Sequence, residues 1–118
     1  DLFADVLADM AKSWVIQQSS QNMKPSYCFY FGRDLPGDEK GAWHSSELWY
    51  TIGALSKCWR PWTDWDHTIS KTLMSYFANF AKTGDPNGAD LPEWIPTKCS
   101  DDPILVINNS EIEMNTVL

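Results

Sequence analysis

Tyr27-Cys28-Phe29-Tyr30-Phe31 is an unbroken apolar run, bounded by Pro25 on one side and Gly32 on the other. Consecutive apolar side chains of this kind cannot be sorted into a wet face and a dry one. The run therefore predicts a strand buried on both faces, the pattern of a parallel sheet. Upstream, Leu2, Phe3, Val6, Leu7, Met10, Trp14 and Val15 recur at helical spacing. They predict an amphipathic helix over residues 2–17, broken by Ser19-Ser20-Gln21-Asn22. Helix, loop and buried strand in that order point to α/β layers.

Downstream of the run, Gly32, Pro36, Gly37 and Gly41 mark a loop over residues 32–43. A short helix is expected from Ser46 to about Ile52, with Ser45 or Ser46 as its N-cap and Gly53 at its end. A long helix follows. Thr63 or Asp64 can cap it, Ile69, Leu73, Tyr76, Phe77 and Phe80 form its apolar stripe, and Gly84 and Pro86 stop it. Ile104-Leu105-Val106-Ile107 is a second strand-like run ending at Asn108-Asn109, and residues 110–118 are amphipathic at best. Two strands do not make a stable sheet, so the chain reads as part of a larger one.

The composition narrows the function. At 118 residues and 43% apolar content the chain is one small domain able to bury a core. A net charge of -7 with no Lys/Arg cluster argues against nucleic acid and anionic membranes as partners. No apolar run approaches the roughly 18 residues that a membrane span needs. The chain opens Asp1-Leu2-Phe3 without a methionine, so it is expected to be cut from a longer protein. Cys28, Cys58 and Cys99 are odd in number and widely spaced, which fits neither a metal knuckle nor a disulfide framework. Free thiols in a reducing compartment such as the cytoplasm are the plainer reading, with one disulfide plus a free thiol as the alternative and secretion left open. Asp34, Asp38 and Glu39 do not have the spacing of an EF-hand loop, and no cofactor is expected.

Chemistry centres on Gly41-Ala42-Trp43-His44-Ser45-Ser46-Glu47-Leu48-Trp49-Tyr50. An imidazole titrates near pH ~6.5 when unperturbed, so His44 in a turn is a candidate general base, although most isolated histidines are structural. Trp43 and Ser45 beside it are candidate substrate contacts. As nucleophiles, Ser45 and Ser46 lack a strand-turn-helix elbow, and capping suits them better. Glu47 reads equally as a hydrogen-bond partner that fixes the loop or as a first-turn carboxylate. His67, in the first turn of the long helix, reads as solvent-facing or capping. Five of the seven tryptophans lie between Trp43 and Trp65. Trp49 fits the core, Trp43 fits core or pocket, and Trp59, Trp62 and Trp65 suit core or interface better than a sugar-binding platform.

Four stretches together resemble the C-terminal portion of the type-B carboxylesterase family, the α/β-hydrolases that include bacterial para-nitrobenzyl esterases and the cholinesterases. They are Tyr27–Phe31; the Gly41-Ala42-x-His44, Glu47-Leu48 and Gly53 pattern; Tyr76-Phe77-Ala78-Asn79-Phe80-Ala81-Lys82-Thr83-Gly84-Asp85-Pro86-Asn87-Gly88; and Leu91-Pro92-Glu93-Trp94. The resemblance implies that residues 1–118 are the C-terminal part of a carboxylesterase domain, contributing a few strands of a mostly parallel sheet with flanking helices. It implies that His44 is the base of a Ser-His-Glu/Asp triad, with the acid upstream. No Gly-x-Ser-x-Gly elbow and no Gly-Gly oxyanion run is present in the chain, so by itself it is expected to be inactive. The implied partners are a small-molecule carboxylic ester and the N-terminal remainder of the domain, with a homodimer as another way to cover an exposed sheet edge. Family members that have lost the nucleophile serve adhesion, which is the main alternative. A Trp-rich carbohydrate-binding β-sandwich is the other.

Overall fold

The structure, a computed structural model, describes residues 2–116 apart from the side chain of Ala4. Asp1 and the last two residues of the 110–118 tail lie outside the described residues. Three helices, a short 3-10 turn at Leu55–Lys57 and a three-stranded sheet follow in the order α1 (Leu2–Asn22), β1 (Phe29–Phe31), α2 (Leu48–Thr51), α3 (Asp64–Thr83), β2 (Ile104–Ile107) and β3 (Ile112–Asn115). The two long helices and mixed sheet rule out the β-sandwich alternative.

The organising element is α3. Thr63 accepts a hydrogen bond from the Asp66 backbone N–H, and the Asp66 carboxylate accepts one from the Thr63 N–H in return. This reciprocal capping box satisfies two donors that a helix start leaves unpaired. Gly84 closes the other end at φ 80°, a left-handed conformation that costs a residue with a Cβ dearly. Ile69, Leu73 and Tyr76 are fully buried in one core with Leu35, Tyr50, Leu55, Trp94, Leu105 and Ile107. Phe77 and Phe80, expected in the same stripe, lie at its rim, in edge-to-face contact with Phe29 and Tyr27. They border a small apolar cleft of about 140 Å³ that also meets Trp94 and Pro86. The distinction is testable in the full-length protein. Leu73→Ala should lower the unfolding free energy by about 2–5 kcal/mol, since it opens a void in packed surroundings. Phe80→Ala, at a site 48% exposed, should cost well under half of that in the same denaturant titration.

The sheet differs from expectation in two ways. Its centre is β2, which pairs in parallel with β1 (Phe29↔Leu105 to Phe31↔Ile107) and antiparallel with β3 (Ile107↔Ile112 to Ile104↔Asn115). β1 is thus an edge strand of three residues. Phe29 and Phe31 pack on the core, while Tyr30 between them is 37% exposed, so within the described chain one face of the run is bare. The third strand falls in the tail over residues 110–118, whose sequence pattern is amphipathic at best. Asn108 makes the hairpin: its side-chain oxygen accepts from the N–H groups of Ser110 and Glu111. Ile112 and Met114 then alternate onto the core.

α1 runs to Asn22, five residues past the predicted end at residue 17. Polar residues on a solvated helix end do not stop it, and Asn22 donates to Gln18 one turn back at 2.7 Å. Leu2, Val6, Leu7, Met10 and Trp14 are all exposed along it, and Lys12 ties it to the Ser100 carbonyl. No described helix is long and apolar enough to cross a membrane.

Candidate functional site

His44 belongs to the loop that leaves the C-terminal end of β1, the end of a parallel sheet where α/β proteins place their sites. Several anchors shape this loop from its first residue. Arg33 donates through Nε and Nη2 to both oxygens of Asp66, at 2.8 and 3.0 Å. Asp34 and Asn109 bind each other twice: the Asp34 N–H donates to Oδ1 at 2.9 Å, and Asn109 Nδ2 donates to Oδ2 at 2.8 Å. Leu35 is buried, and its N–H donates to the Gly41 carbonyl, which folds the loop back on itself.

The loop ends in a tight turn over Trp43–Ser46. The Ser46 N–H donates to the Trp43 carbonyl at 2.9 Å, and the Trp43 N–H donates to Ser46 Oγ at 3.2 Å. Ser46 is buried by this closure. It does not cap α2, which starts only at Leu48 with Glu47 in the N-cap position and no side-chain cap bond. The central residues are His44 and Ser45. His44 projects into solvent, and its ring has no hydrogen bond with any described residue. Ser45 sits at φ 67°, where a side chain is rarely tolerated. Ser45→Gly should therefore raise stability by about 0.5–1 kcal/mol, because the relieved backbone strain exceeds glycine's added freedom in the unfolded chain. A denaturant midpoint in the full-length protein checks it, and a fall in that midpoint would show that the Ser45 side chain holds the turn.

The strongest electrostatic feature went unnoticed in the sequence. Asp66 is completely buried and also accepts from the Tyr50 hydroxyl at 2.7 Å, from the Thr63 N–H at 2.9 Å and from the Thr63 hydroxyl at 2.8 Å. Burial alone would raise its pKa. The hydrogen bonds from Arg33, Thr63 and Tyr50 outweigh that and hold it at about 2. Burial, and then the bond to Asp66, push the Tyr50 phenol well above its ordinary range. Asp66 is thus committed to joining the loop, α2 and the start of α3, with no free oxygen to orient a histidine. Its signal was present as Thr63-x-x-Asp66, a capping-box spacing.

The other candidates separate. Trp43 is 42% exposed beside His44. Glu47 offers its backbone carbonyl to the N–H groups of Tyr50 and Thr51, and its carboxylate has no hydrogen bond with His44. His67 is exposed on α3. Trp49, Trp62 and Trp65 pack against the core, and the last two donate from Nε1 to the carbonyls of Leu55 and Asn108. Trp59 is 70% exposed. Asp34 and Asp38 are engaged by Asn109 and Arg60, and among the described residues no group of three or more His, Cys, Asp or Glu could hold a metal ion. All three cysteines are free thiols.

A parallel strand pair flanked by helices, with a histidine turn beyond a strand's C-terminal end, is an α/β arrangement, and solved esterases of the α/β-hydrolase fold share it. An esterase from anaerobic Clostridium hathewayi superposes with a TM-score of 0.73 at 20% identity, over 89% of this chain and 21% of that one. The carboxylesterase of Geobacillus stearothermophilus gives 0.59 at 25% identity, over 86% and 22%. In sequence, the bile salt-activated lipase of Bos taurus is 32% identical over 117 residues, 92% of this chain and 20% of that protein. The sequence model of the carboxylesterase family matches residues 1–118, and the chain belongs to that family. It spans about a fifth of that lipase's length.

Proposed function

We propose that this chain is the C-terminal part of a serine carboxylesterase and supplies its general base, His44. The observation that carries this is the placement of His44 at the tip of a closed turn, beyond the C-terminal end of a parallel strand, with its ring free of hydrogen bonds to the described residues. In the reaction, His44 accepts the proton of a serine hydroxyl as that oxygen attacks the ester carbonyl. It then returns the proton to the departing alkoxide, and the cycle repeats with water to release the acid. The serine, the triad acid and the oxyanion donors come from the remainder of the domain, and these residues alone turn over no ester. Trp43, half-exposed next to the base, contacts the ester, and Ser45 shapes the same turn.

The remainder of the domain also covers what is bare here. The outer edge of β1 and the apolar side of α1 (Val6, Leu7, Met10 and Trp14) are the surfaces on which it would pack. The isolated chain should accordingly self-associate in sedimentation, by pairing those surfaces between copies. A monodisperse monomer of the isolated chain would remove this part of the proposal.

A fluorophosphonate probe tests the enzyme assignment, because it labels a serine only when a base activates it. The full-length protein should label at one serine, and His44→Gln should slow labelling by orders of magnitude. Labelling at an unchanged rate would overturn His44 as the base. A full-length protein without a reactive serine would be an interaction protein instead.

A further inference from the structure

We propose that Arg60 is a positioning residue for His44, acting through the loop that carries it; this rests on His44 being the general base. Arg60 lies between the 3-10 turn and α3, and its guanidinium is nearly buried although the segments it joins are both loops. Nη1 donates to the Pro36 carbonyl at 3.0 Å, and Nη2 pairs with Asp38 Oδ2 at 3.0 Å. The guanidinium also lies 4.8 Å from the centroid of the Trp59 ring. Pro36, Asp38 and Trp59 all lie outside the hydrophobic core, so the clamp serves the loop and not the core.

The grip passes along the backbone toward the histidine. The second oxygen of Asp38 accepts from the Lys40 N–H at 3.1 Å, and hydrogen bonds from Arg60 and then Lys40 hold this carboxyl below its usual range. Gly37 sits between the two gripped residues at φ +107°, and a Cβ there would come within 2.8 Å of the Trp59 ring. The loop therefore approaches Trp59 more closely than any other residue type permits. Gly41 is held by Leu35, and the Trp43–Ser46 turn begins two residues later. Arg60, Lys40 and Trp43 line one cleft of about 320 Å³, which brings the clamp up to the residue next to His44. Among the described residues nothing hydrogen-bonds to the His44 ring, so what this part of the domain contributes to placing His44 is the backbone, while the triad acid of the proposed function orients the ring. A displacement of about 1 Å in such a group costs roughly 100-fold in rate. Only a planar fork meets a carbonyl and a carboxylate at fixed angles while stacking on an indole, so lysine is no substitute.

The test uses the full-length enzyme and a chromogenic carboxylic ester. Arg60→Met should lower kcat by about 10- to 100-fold with KM within about twofold. Arg60→Lys should not rescue it, and Asp38→Asn should give a smaller fall in kcat of the same kind. In a His44→Ala background, Arg60→Met should lower the residual rate no further, because a residue acting through His44 has nothing left to position. A kcat for Arg60→Met within twofold of the parent, or an equal fall in the His44→Ala background, overturns the proposal. If Arg60→Met does not fold, Asp38→Asn decides, and an unchanged kcat there overturns it as well. Failure of the general-base assignment would show separately, as near-normal turnover by His44→Ala alone.

Discussion

Replacing His44 with alanine in the full-length enzyme is expected to lower kcat for ester hydrolysis by roughly 10⁴- to 10⁶-fold, the range for a triad member that moves the proton. No described neighbour can take over. Glu47 is nearby in sequence, but its carboxylate does not hydrogen-bond to the ring, and His67 belongs to a different element, α3. The same substitution should leave the fold untouched. The imidazole is exposed and makes no hydrogen bond within the described chain, so its loss removes no contact that holds this part of the fold. That pairing is what makes the measurement decisive: a collapse in turnover at constant melting temperature assigns the chemistry to the side chain. A variant that retains near-parental kcat would end the assignment. One that loses kcat and melting temperature together would show that His44 holds the turn.

Local signals were legible in the sequence and long-range ones were not. α3 is readable at both ends because its stops are short-range: Thr63 or Asp64 as a cap residue just before the apolar stripe, and Gly84 directly after the last helical turn. His44 is a candidate on a motif alone; periodicity says nothing about it. The Arg33–Asp66 pair spans 33 residues and joins a strand end to a helix start, and no local pattern announces it. For β1, an apolar run fixes strand character but not the number of neighbours; in the described chain it has one, β2, and its outer edge is open. β3 is underread. Ile112 and Met114 alternate over only four residues, and the hairpin turn is made by an asparagine side chain in place of an Asn-Gly pair. The extent of α1 was missed because serine and glutamine lower helix propensity only slightly, and a break needs glycine or proline. Serine at 45 gives no hint of its left-handed backbone, which the Trp43–Ser46 closure imposes.

Asp66→Ala should destabilise the full-length protein by about 3–5 kcal/mol, the range for breaking a buried ion pair by removing one partner. The loss is large because four donors lose their acceptor together: the Arg33 guanidinium, the Tyr50 hydroxyl, and the N–H and hydroxyl of Thr63. Arg33 would be left as a largely buried, unpaired cation. Asp66→Asn keeps the shape and part of the acceptor capacity, so it should cost less. Acid gives an independent check. The folded-state pKa of about 2 lies below the ordinary 3.8, so the unfolded chain takes up this proton first as pH falls. The stabilisation from Asp66 is therefore complete above about pH 4 and is lost as pH falls through about 2, an effect of about 2 kcal/mol. Unfolding free energies at pH 7 and pH 2.5 should fall more steeply for the parent than for Asp66→Asn, which has no proton to take up at that site. Other depressed carboxylates, Asp38, Asp85 and Asp102, titrate in both proteins and cancel in the difference. Equal slopes would mean that Asp66 is not held ionised by Arg33. Arg33 would then hold the loop through its bonds to Asn109 and Thr63 without an ion pair, and Arg33→Met should cost only about 1–2 kcal/mol.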